Sequence, residues 1–399
     1  MSRLDRSPLH PRIETLESRK LLAADPLTVI VGAGAAKSVM FTDASGTQAQ
    51  AFLSGPGTAT INFNGTSLSQ SANAKGLVVN GSGISLDSVT VNGTTGQSVF
   101  QIVTVKKKAL TVGSITVGGA LNGLLAPSVT VDGDLSTGSG LHVLQLAGAH
   151  DGTISIGSGR VGALGITIGT VTDETLNSAI PITTLVASQW TNTPDEGLSI
   201  IAPQINAMTV AHDFSSDMTT GSIGSINVRG TISNSTLNLT TPLTPLGKSL
   251  ASMNVGGAIA STTINAGGNV GTINAGRMSD SFVYAGLVAS PSGPFPSVTT
   301  DFRNTATILA VNLKRSASAS FSNSVIAGYN IISANLGSVS QSNGGNPFGL
   351  AAHDVKTVTI RDLATGKVVT ASNPPTTTTF DNDLTAKGVA TGDLEVRIV

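Results

Sequence analysis

Of the 399 residues in this chain, 11% are charged and 40% are hydrophobic, the formal net charge is −1, and cysteine is absent. The near-neutral balance gives no electrostatic basis for nucleic acid binding, which needs clustered Lys and Arg, and the lack of cysteine excludes disulfides and thiolate metal sites. Low charge combined with regularly spaced β-branched residues is typical of a packed β-protein, whereas a disordered chain has low hydrophobicity and high net charge.

Residues 1–26 form a distinct segment rich in Arg, Glu, Pro and Leu. The segment lacks the apolar core of a secretory signal peptide, and no stretch of the sequence is apolar for long enough to predict a transmembrane helix. A short basic amphipathic helix is predicted from about Ile13 to Leu22. We expect residues 1–26 to be a targeting or anchoring leader, disordered or removed; the alternative is an N-terminal tail without a role.

Residues 27–105 alternate strongly between apolar and polar positions but show no regular repeat. Leu27-Thr-Val-Ile-Val, Ser38-Val-Met-Phe and Thr58-Ala-Thr-Ile-Asn-Phe are predicted strands, separated by Gly-rich turns. We expect this β-rich N-terminal entry region to be either a small sheet or the first irregular coils, which cap the open end of the repeat region that follows. Such a cap is needed because an uncovered terminal coil would expose unpaired backbone groups.

Residues 106–372 contain the pattern that predicts the architecture. Three copies read Ser225-Ile-Asn-Val-Arg-Gly, Ser252-Met-Asn-Val-Gly-Gly and Thr272-Ile-Asn-Ala-Gly-Arg, and a weaker copy begins at Met208. Each copy continues through a small polar turn into a second alternating segment. Self-similarity at about 20 residues, with short strands in each unit, predicts a parallel β-helix (β-solenoid), right-handed and all-β.

Loops and the C-terminus complete the predicted organisation. Insertions at Thr191–Glu196 and Ser290–Pro296 are loops by composition, and loops that leave a rigid scaffold are favoured binding surfaces. Pro374–Thr379 is predicted as a turn or short linker. Residues 373–399 are expected to form a C-terminal cap that ends in a closing strand at Leu394–Val399.

Two segments of the sequence, one of them in the leader, resemble parts of a known group of proteins. Leu16-Glu-Ser-Arg-Lys-Leu-Leu resembles the Leu-Glu-Pro-Arg-x-Leu-Leu element at the N-termini of exported repeat proteins of planctomycete bacteria, with Ser18 in place of Pro. The targeting residues that the resemblance implies are Leu16, Glu17, Arg19, Leu21 and Leu22. It implies an extracellular or cell-surface protein and brings no catalytic residues. The segment Val39-Met-Phe-Thr-Asp-Ala-Ser-Gly is similar to a unit that recurs in such exoproteins.

Motifs with chemical potential are few. His-Asp follows Ala three times, at His150, His212 and His353, but these pairs fall at different phases of the repeat and predict polar turns more than a shared metal site. Val31-Gly-Ala-Gly-Ala-Ala lacks the third Gly and the helix of a dinucleotide-binding turn. Lys106–Lys108 is interpreted as a solvated turn. No cofactor, metal ion or catalytic residue is predicted.

The acidic residues matter for the enzymatic alternative. Asp132 and Asp134 lie close to Asp151 in sequence and would stack on adjacent coils if the repeat register allowed it. Polysaccharide lyases and hydrolases need paired carboxylates, or an acidic cation site with a basic residue, on one face. Asp-Gly-Asp is also ordinary turn chemistry. Convergence of acidic side chains on one face therefore separates the two hypotheses.

We expect a secreted or cell-surface structural or adhesive β-solenoid protein without catalytic activity. Its partner would be a cell-surface polysaccharide or another exoprotein, and neither nucleic acid nor a transmembrane segment is expected. The alternative is a carbohydrate-active β-helix enzyme, either a polysaccharide lyase or a hydrolase. A third hypothesis is a repeat unit of larger exoproteins without an activity of its own.

Overall fold

A computed structural model describes residues 26–159, 162–194, 196–240, 247–288, 293 and 295–399. Their strands stack in parallel as a β-solenoid of about 12 turns, so the prediction of an all-β parallel β-helix is confirmed. At ~4.8 Å per rung, such a stack is roughly 55–60 Å long. The right-handed sense of the coil stays a prediction, and residues 1–25 of the leader lie outside the described residues.

Six strands form an N-terminal cap over the first coil. They are β1 Leu27–Gly32, β2 Ser38–Thr42, β3 Gln48–Ser54, β4 Thr58–Asn73, β5 Gly76–Asn92 and β6 Val99–Thr104. Strand β4 pairs antiparallel with β1 and β5, and β3 pairs antiparallel with β2 and β6. Within the cap, β2 pairs in parallel with β5. Parallel pairs between the cap and the following strands join Leu86 to Val112 and Val99 to Gly123, so stacking begins within residues 27–105. The antiparallel strands cover backbone groups that the first coil would otherwise expose.

The solenoid proper consists of strands of 2 to 19 residues, separated by bends and loops. They are β7 Leu110–Val117, β8 Leu121–Asp132, β9 Leu135–Thr137, β10 Leu141–Ile156, β11 Leu164–Ser178, β12 Ile182–Thr191, β13 Ser199–Ala202, β14 Ile205–Val210, β15 Phe214–Ser215, β16 Asp217–Thr220, β17 Ile223–Val228, β18 Ile232–Leu239, β19 Lys248–Ala266, β20 Asn269–Ser279, β21 Phe282–Ala285, β22 Thr307–Leu313, β23 Phe321–Ser322, β24 Val325–Gly328, β25 Asn330–Val339, β26 Phe348–Ala352, β27 Asp354–Val355 and β28 Thr357–Asp362. Single 3₁₀ turns occur at Val105–Lys107 and Thr299–Asp301.

Each coil contributes strand segments to three parallel ladders, which we call faces 1, 2 and 3 in chain order. Face 1 includes residues 207–210, 225–228, 252–255, 272–275, 310–313 and 333–335. Face 2 includes residues 130–132, 148–150, 170–172 and 189–191. Face 3 includes residues 217–220, 237–239, 263–266, 282–285 and 325–328. The repeats found in the sequence are successive rungs of this prism.

The core is a set of aliphatic columns that run along the inside of the prism. Because successive side chains of a strand point to opposite sides, every second residue of each segment faces inward. On face 1 the inward column contains Ile226, Met253, Ile273 and Val311, each at most 1% exposed. Burial of each such side chain stabilises the fold by roughly 1.5–3 kcal/mol. The residues between them, on the other side of the same strands, form the outer surface.

The corner between faces 2 and 3 repeats one turn geometry. In six coils a short polar residue has positive φ, at Asp151, Asp173, Asn234, Ser261, Asp280 and Asn323. Asn and Asp tolerate this left-handed conformation better than other non-glycine residues, because their side chains bond to nearby backbone groups. In four of these coils the next residue is a buried hydroxyl residue, namely Ser235, Thr262, Ser281 or Ser324. Each of these hydroxyls donates a hydrogen bond to the carbonyl two residues earlier.

The C-terminus folds over the last coils. Strand β29 Val368–Ser372 pairs antiparallel with β28, and β30 Leu394–Ile398 continues face 3 beside β26. Between them lies helix α1 Thr377–Ala386, so the prediction of a linker at Pro374–Thr379 is wrong for its last three residues. Threonine is a weak helix former, but Phe380 and Leu384 lie four residues apart and both are fully buried. Tertiary packing of this pair overrides the local propensity.

Removal of residues 373–399 is expected to increase self-association. The truncation uncovers the β26 edge and the apolar surface under α1, and an open strand edge is a template for pairing with another chain. Sedimentation velocity over a range of concentrations should show larger species than the full chain forms. Removal of residues 1–25, which belong to no described strand, serves as the control. Identical sedimentation of the truncated and full chains would show that the C-terminal residues are not a protective cap.

Candidate functional site

A column of asparagines lies on the outer side of face 1, two of them exposed and three half-buried. The residues are Asn227, Asn254, Asn274, Asn312 and Asn335. Each lies in the middle of a strand segment, between two inward apolar residues, so its side chain points outward. Strand pairing places each asparagine directly opposite the next. The column therefore occupies five successive rungs.

Hydrogen bonds join the central members of this column into a ladder. Asn274 donates through Nδ2 to Oδ1 of Asn254 at 2.7 Å, and Asn312 donates through Nδ2 to Oδ1 of Asn274 at 3.0 Å. A primary amide has two N–H donors and two acceptor lone pairs. The ladder uses one N–H of each donor, so hydrogen-bonding capacity remains for a ligand. The amide groups are also held in fixed orientations before any ligand binds.

A groove of about 470 Å³ lies beside the asparagine column. Gly256 lines the groove, and Gly276 follows the lining residue Ala275 on the next coil. At both positions a side chain would collide with the backbone of the preceding coil, with the Arg229 carbonyl at Gly256 and the Gly257 carbonyl at Gly276. Arg229 flanks these glycines on the preceding coil, and Lys314 flanks them on the following coil, where its N–H donates to the Ala275 carbonyl. The groove thus has amides along one side and a cation at each end.

A second groove, of about 590 Å³, lies on face 3. It is lined by Asn238, Asn265, Tyr284 and Arg303, among others, but these groups are more engaged with the protein. Asn265 donates to Asn238 at 2.9 Å, and Arg303 reaches the Gly267 carbonyl at 3.4 Å. Burial raises the pKa of the Tyr284 hydroxyl above its usual range. We favour the face 1 groove because its amides recur on four rungs and because neither Arg229 nor Lys314 forms an ion pair with another described residue.

The loop predicted to present a binding surface at Ser290–Pro296 packs against the protein over its described part. Phe295 lies under the Arg397 guanidinium, 4.0 Å from ring centroid to Cζ, and its carbonyl accepts a hydrogen bond from Arg397 at 2.9 Å. Phe302 packs edge-on against Tyr329 at a centroid distance of 6.2 Å. These contacts form a small aromatic cluster outside face 3. The described part of this loop is therefore packed against the protein, whereas the asparagine column on the face 1 strands points outward.

The three His-Asp pairs occupy three separate places. His150 lies on face 2 opposite Asp132, whereas His212 follows face 1, where its N–H donates to the Ser188 carbonyl. His353 precedes β27 and packs against Tyr329 at a ring distance of 4.7 Å. No group of three His, Asp or Glu residues in the described part of the chain could hold a metal ion. The structure brings no two of these pairs into one site.

Acidic residues do meet at the corner between faces 2 and 3, around a residue that the sequence analysis missed. Asp134 accepts a hydrogen bond from the Thr153 N–H at 3.0 Å, and Asp151 holds one of the left-handed positions. On the next coil Glu174 is fully buried, and neither carboxylate oxygen has a hydrogen-bond partner among the described residues. It occupies the inward position that holds Ser or Thr in four later coils. The aligned turns Asp173-Glu-Thr-Leu and Asn234-Ser-Thr-Leu carried this signal in the sequence.

Burial is the main reason that the pKa of Glu174 rises from 4.5 to about 8. The N–H of Gly152 lowers this pKa, although it does not reach hydrogen-bonding geometry, and the charges of Asp134 and Asp151 raise it further. Glu174 is therefore mostly protonated at neutral pH. Glycoside hydrolysis pairs a protonated carboxyl of raised pKa with a carboxylate, and both must reach the sugar. Glu174 has the raised pKa, but its side chain is fully buried.

Two other sequence motifs form turns. Gly32 and Gly34 have positive φ and connect β1 to β2, and the segment that follows is a strand, so the helix of a dinucleotide-binding site is missing there. Lys106 and Lys107 are exposed with positive φ, in the solvated turn that was predicted. The targeting residues Leu16, Glu17, Arg19, Leu21 and Leu22 lie outside the described residues. The described helices include none long and apolar enough to cross a membrane.

The fold and this surface define a parallel β-solenoid with a column of stacked amides on one face. No protein-family model, curated protein or solved structure matches the chain. The architecture is therefore known from its own strand pairing, and the groove from its own geometry.

Proposed function

We propose that this protein is a secreted or cell-surface structural or adhesive β-solenoid, without catalytic activity, that binds linear polysaccharide along face 1. The asparagine column carries this proposal. Amides that both donate and accept hydrogen bonds complement hydroxyl groups, which do the same. A column repeated on five rungs suits an extended ligand that runs along the solenoid axis, and the preset amide orientations reduce the entropy lost on binding.

The distribution of acidic residues supports a binding role for the face 1 groove over a catalytic one. No Asp or Glu is among the described residues that line the face 1 groove, whereas polysaccharide hydrolysis needs carboxyl groups within reach of the ligand. The acidic corner at Asp134, Asp151 and Glu174 is the observation that favours the alternative, a carbohydrate-active enzyme. Incubation with polysaccharides, followed by assays for new reducing ends and for unsaturated products, separates the two. Turnover that Glu174→Gln abolishes would favour the enzyme.

Binding is tested by affinity electrophoresis of the full chain through gels that contain soluble plant and bacterial polysaccharides. The triple variant Asn254→Ala/Asn274→Ala/Asn312→Ala is expected to bind at least tenfold more weakly, because it loses the contiguous amides. The control is Asn177→Ala/Asn206→Ala, which removes two exposed asparagines outside the column. Equal retardation of the triple variant and the wild type would overturn the assignment of face 1 as the binding surface.

Localisation has its own test. Fractionation of the native organism, with mass spectrometry of the protein's N-terminus in each fraction, is expected to recover the protein outside the cytoplasm. A start near Ala23 to Pro26 would identify the preceding residues as a processed address. Recovery in the cytoplasm alone, with Met1 or Ser2 intact, would contradict the exoprotein role.

A further inference from the structure

The face 1 groove lies beside a corner of the prism that carries four exposed cations. They are Arg229, Arg277, Lys314 and Arg315. Two ion pairs occur among the described residues, Lys356 with Asp354 and Arg397 with Glu395, and neither involves this corner. The chain as a whole has a net charge of −1. This corner is therefore a positively charged patch on a chain that is nearly neutral overall.

Asp213, an acidic residue on the coil before Arg229, is engaged in a hydrogen bond to the backbone. Asp213 lies one coil before Gly230, where a Cβ on Gly230 would meet its carboxylate at 2.2 Å. Its Oδ1 accepts a hydrogen bond from the Thr231 N–H at 2.7 Å. The next coils place Gly256 and Gly276 beside the asparagines, so no side chain fills the space between Arg229 and Lys314. Three rungs of ~4.8 Å separate these two cations by roughly 14 Å along the axis.

We infer that the groove binds an anionic polysaccharide, whose carboxylate or sulfate groups pair with Arg229 and Lys314 while its hydroxyls bond to the asparagine column. This inference rests on the proposed function. A neutral polymer would leave both cations without a counter-charge beside a bound ligand, whereas an anionic polymer supplies two charge-assisted contacts. Gly256 and Gly276 let the polymer lie close to the backbone between them.

The same cations do not favour a nucleic acid. Single-stranded nucleic acids bind through aromatic platforms on which bases stack, together with a positive groove. The described residues that line this groove include no aromatic side chain. Its hydrogen-bonding groups are instead amides arranged in a row, which complement hydroxyls along a sugar chain. A nucleic acid is therefore an outcome that the experiment must distinguish.

The test compares two forms of one polymer, polygalacturonate and its fully methyl-esterified neutral form, by isothermal titration with the full-length protein at low salt. Wild type is expected to bind the anionic form about tenfold more tightly. Its affinity should fall with salt, with a log–log slope of roughly −1 to −2 for two contacts. Arg229→Ala/Lys314→Ala should bind both forms equally, and Lys75→Ala/Lys387→Ala, two exposed lysines elsewhere, should retain the preference.

Each outcome has one meaning. Equal binding of both forms by wild type would overturn the inference and leave the proposed function standing. If the protein binds neither form of this polymer and no other polysaccharide, the proposed function is overturned as well. A preference that survives in Arg229→Ala/Lys314→Ala would place the anionic contacts elsewhere and overturn the inference. Equally tight binding of an oligothymidine, abolished by the same double variant, would make the corner a general polyanion surface and would also overturn it.

Discussion

Glu174→Gln is expected to make the protein more stable than wild type at pH 9 while leaving its stability at pH 5 nearly unchanged. In the folded state the Glu174 carboxyl has a pKa of about 8, raised mainly by burial, whereas its ordinary value is 4.5. Below 4.5 the folded and unfolded states both hold the proton, so the group has no effect. Between the two values only the folded state keeps it, and the free energy of unfolding falls as the pH rises.

The decrease in the free energy of unfolding is complete above pH 8, where the Glu174 carboxyl is ionised in the folded protein as well. The shift of the pKa from 4.5 to about 8 lowers the free energy of unfolding by at most roughly 5 kcal/mol. The value is an upper limit because water that enters the site would solvate the charge. Glutamine keeps the shape and removes the titration. Thermal unfolding at pH 5, 7 and 9, followed by circular dichroism, measures the difference. Glu196→Gln, the same change at an exposed position, should match wild type at every pH.

The opposite result is informative about the corner. Parallel pH profiles of Glu174→Gln and wild type would mean that the carboxyl reaches water or a cation in solution. Reduced stability of the variant at pH 9 would mean that the ionised form has a favourable partner. Either observation would reopen the acidic corner as a site that binds a ligand.

Asn192→Ala is expected to reduce the free energy of unfolding by about 3 kcal/mol. The Asn192 side chain joins three coils: its Oδ1 accepts the Glu174 N–H at 3.0 Å, and its Nδ2 donates to the Glu174 carbonyl and to Ser216 Oγ, both at 3.0 Å. Alanine would leave a buried backbone donor and acceptor of Glu174 without partners. Such orphaned groups cost more than the net value of the hydrogen bonds themselves.

Chemical denaturation of the purified variant tests this expectation. Asn177→Ala is the matched control, because Asn177 is an exposed asparagine on the neighbouring strand β11, and it should change the stability by less than about 0.5 kcal/mol. Asn192→Asp should destabilise further at pH 9, because it loses both donors and adds a negative charge beside Glu174. Unchanged stability of Asn192→Ala would show that the corner rearranges to satisfy the backbone.

The sequence predicts the solenoid because each coil repeats the same local alternation of apolar and polar residues. Ile226, Met253 and Ile273 each precede an asparagine, so the inward column and the outward column were both visible before the structure. What the sequence did not reveal is that Asn312 and Asn335 continue the column. The loop residues between Ala285 and Thr307 disturb the spacing, and only the pairing of β20 with β22 restores the register.

The acidic corner, in contrast, could not be predicted from the sequence. The sequence analysis considered three aspartates that lie close together in sequence, Asp132, Asp134 and Asp151. Glu174 lies one coil further along, and its local sequence is typical of a turn. Its significance depends on burial and on the residues at the same corner of other coils, such as Ser235 and Ser281. Helix α1 was missed for a similar reason, since the burial of Phe380 and Leu384 is a tertiary effect.

The stacking of coils also determines how the protein would respond to mechanical load. Hydrogen bonds between rungs run parallel to the solenoid axis, so an axial pull applied at the C-terminus strains the last rung first. After β29, α1 and β30 detach, each coil can peel away before the next is loaded. A coil of about 20 residues extends by roughly 70 Å when unravelled. An adhesive of this design would dissipate force in repeated small steps and would keep the coils beneath each rupture folded.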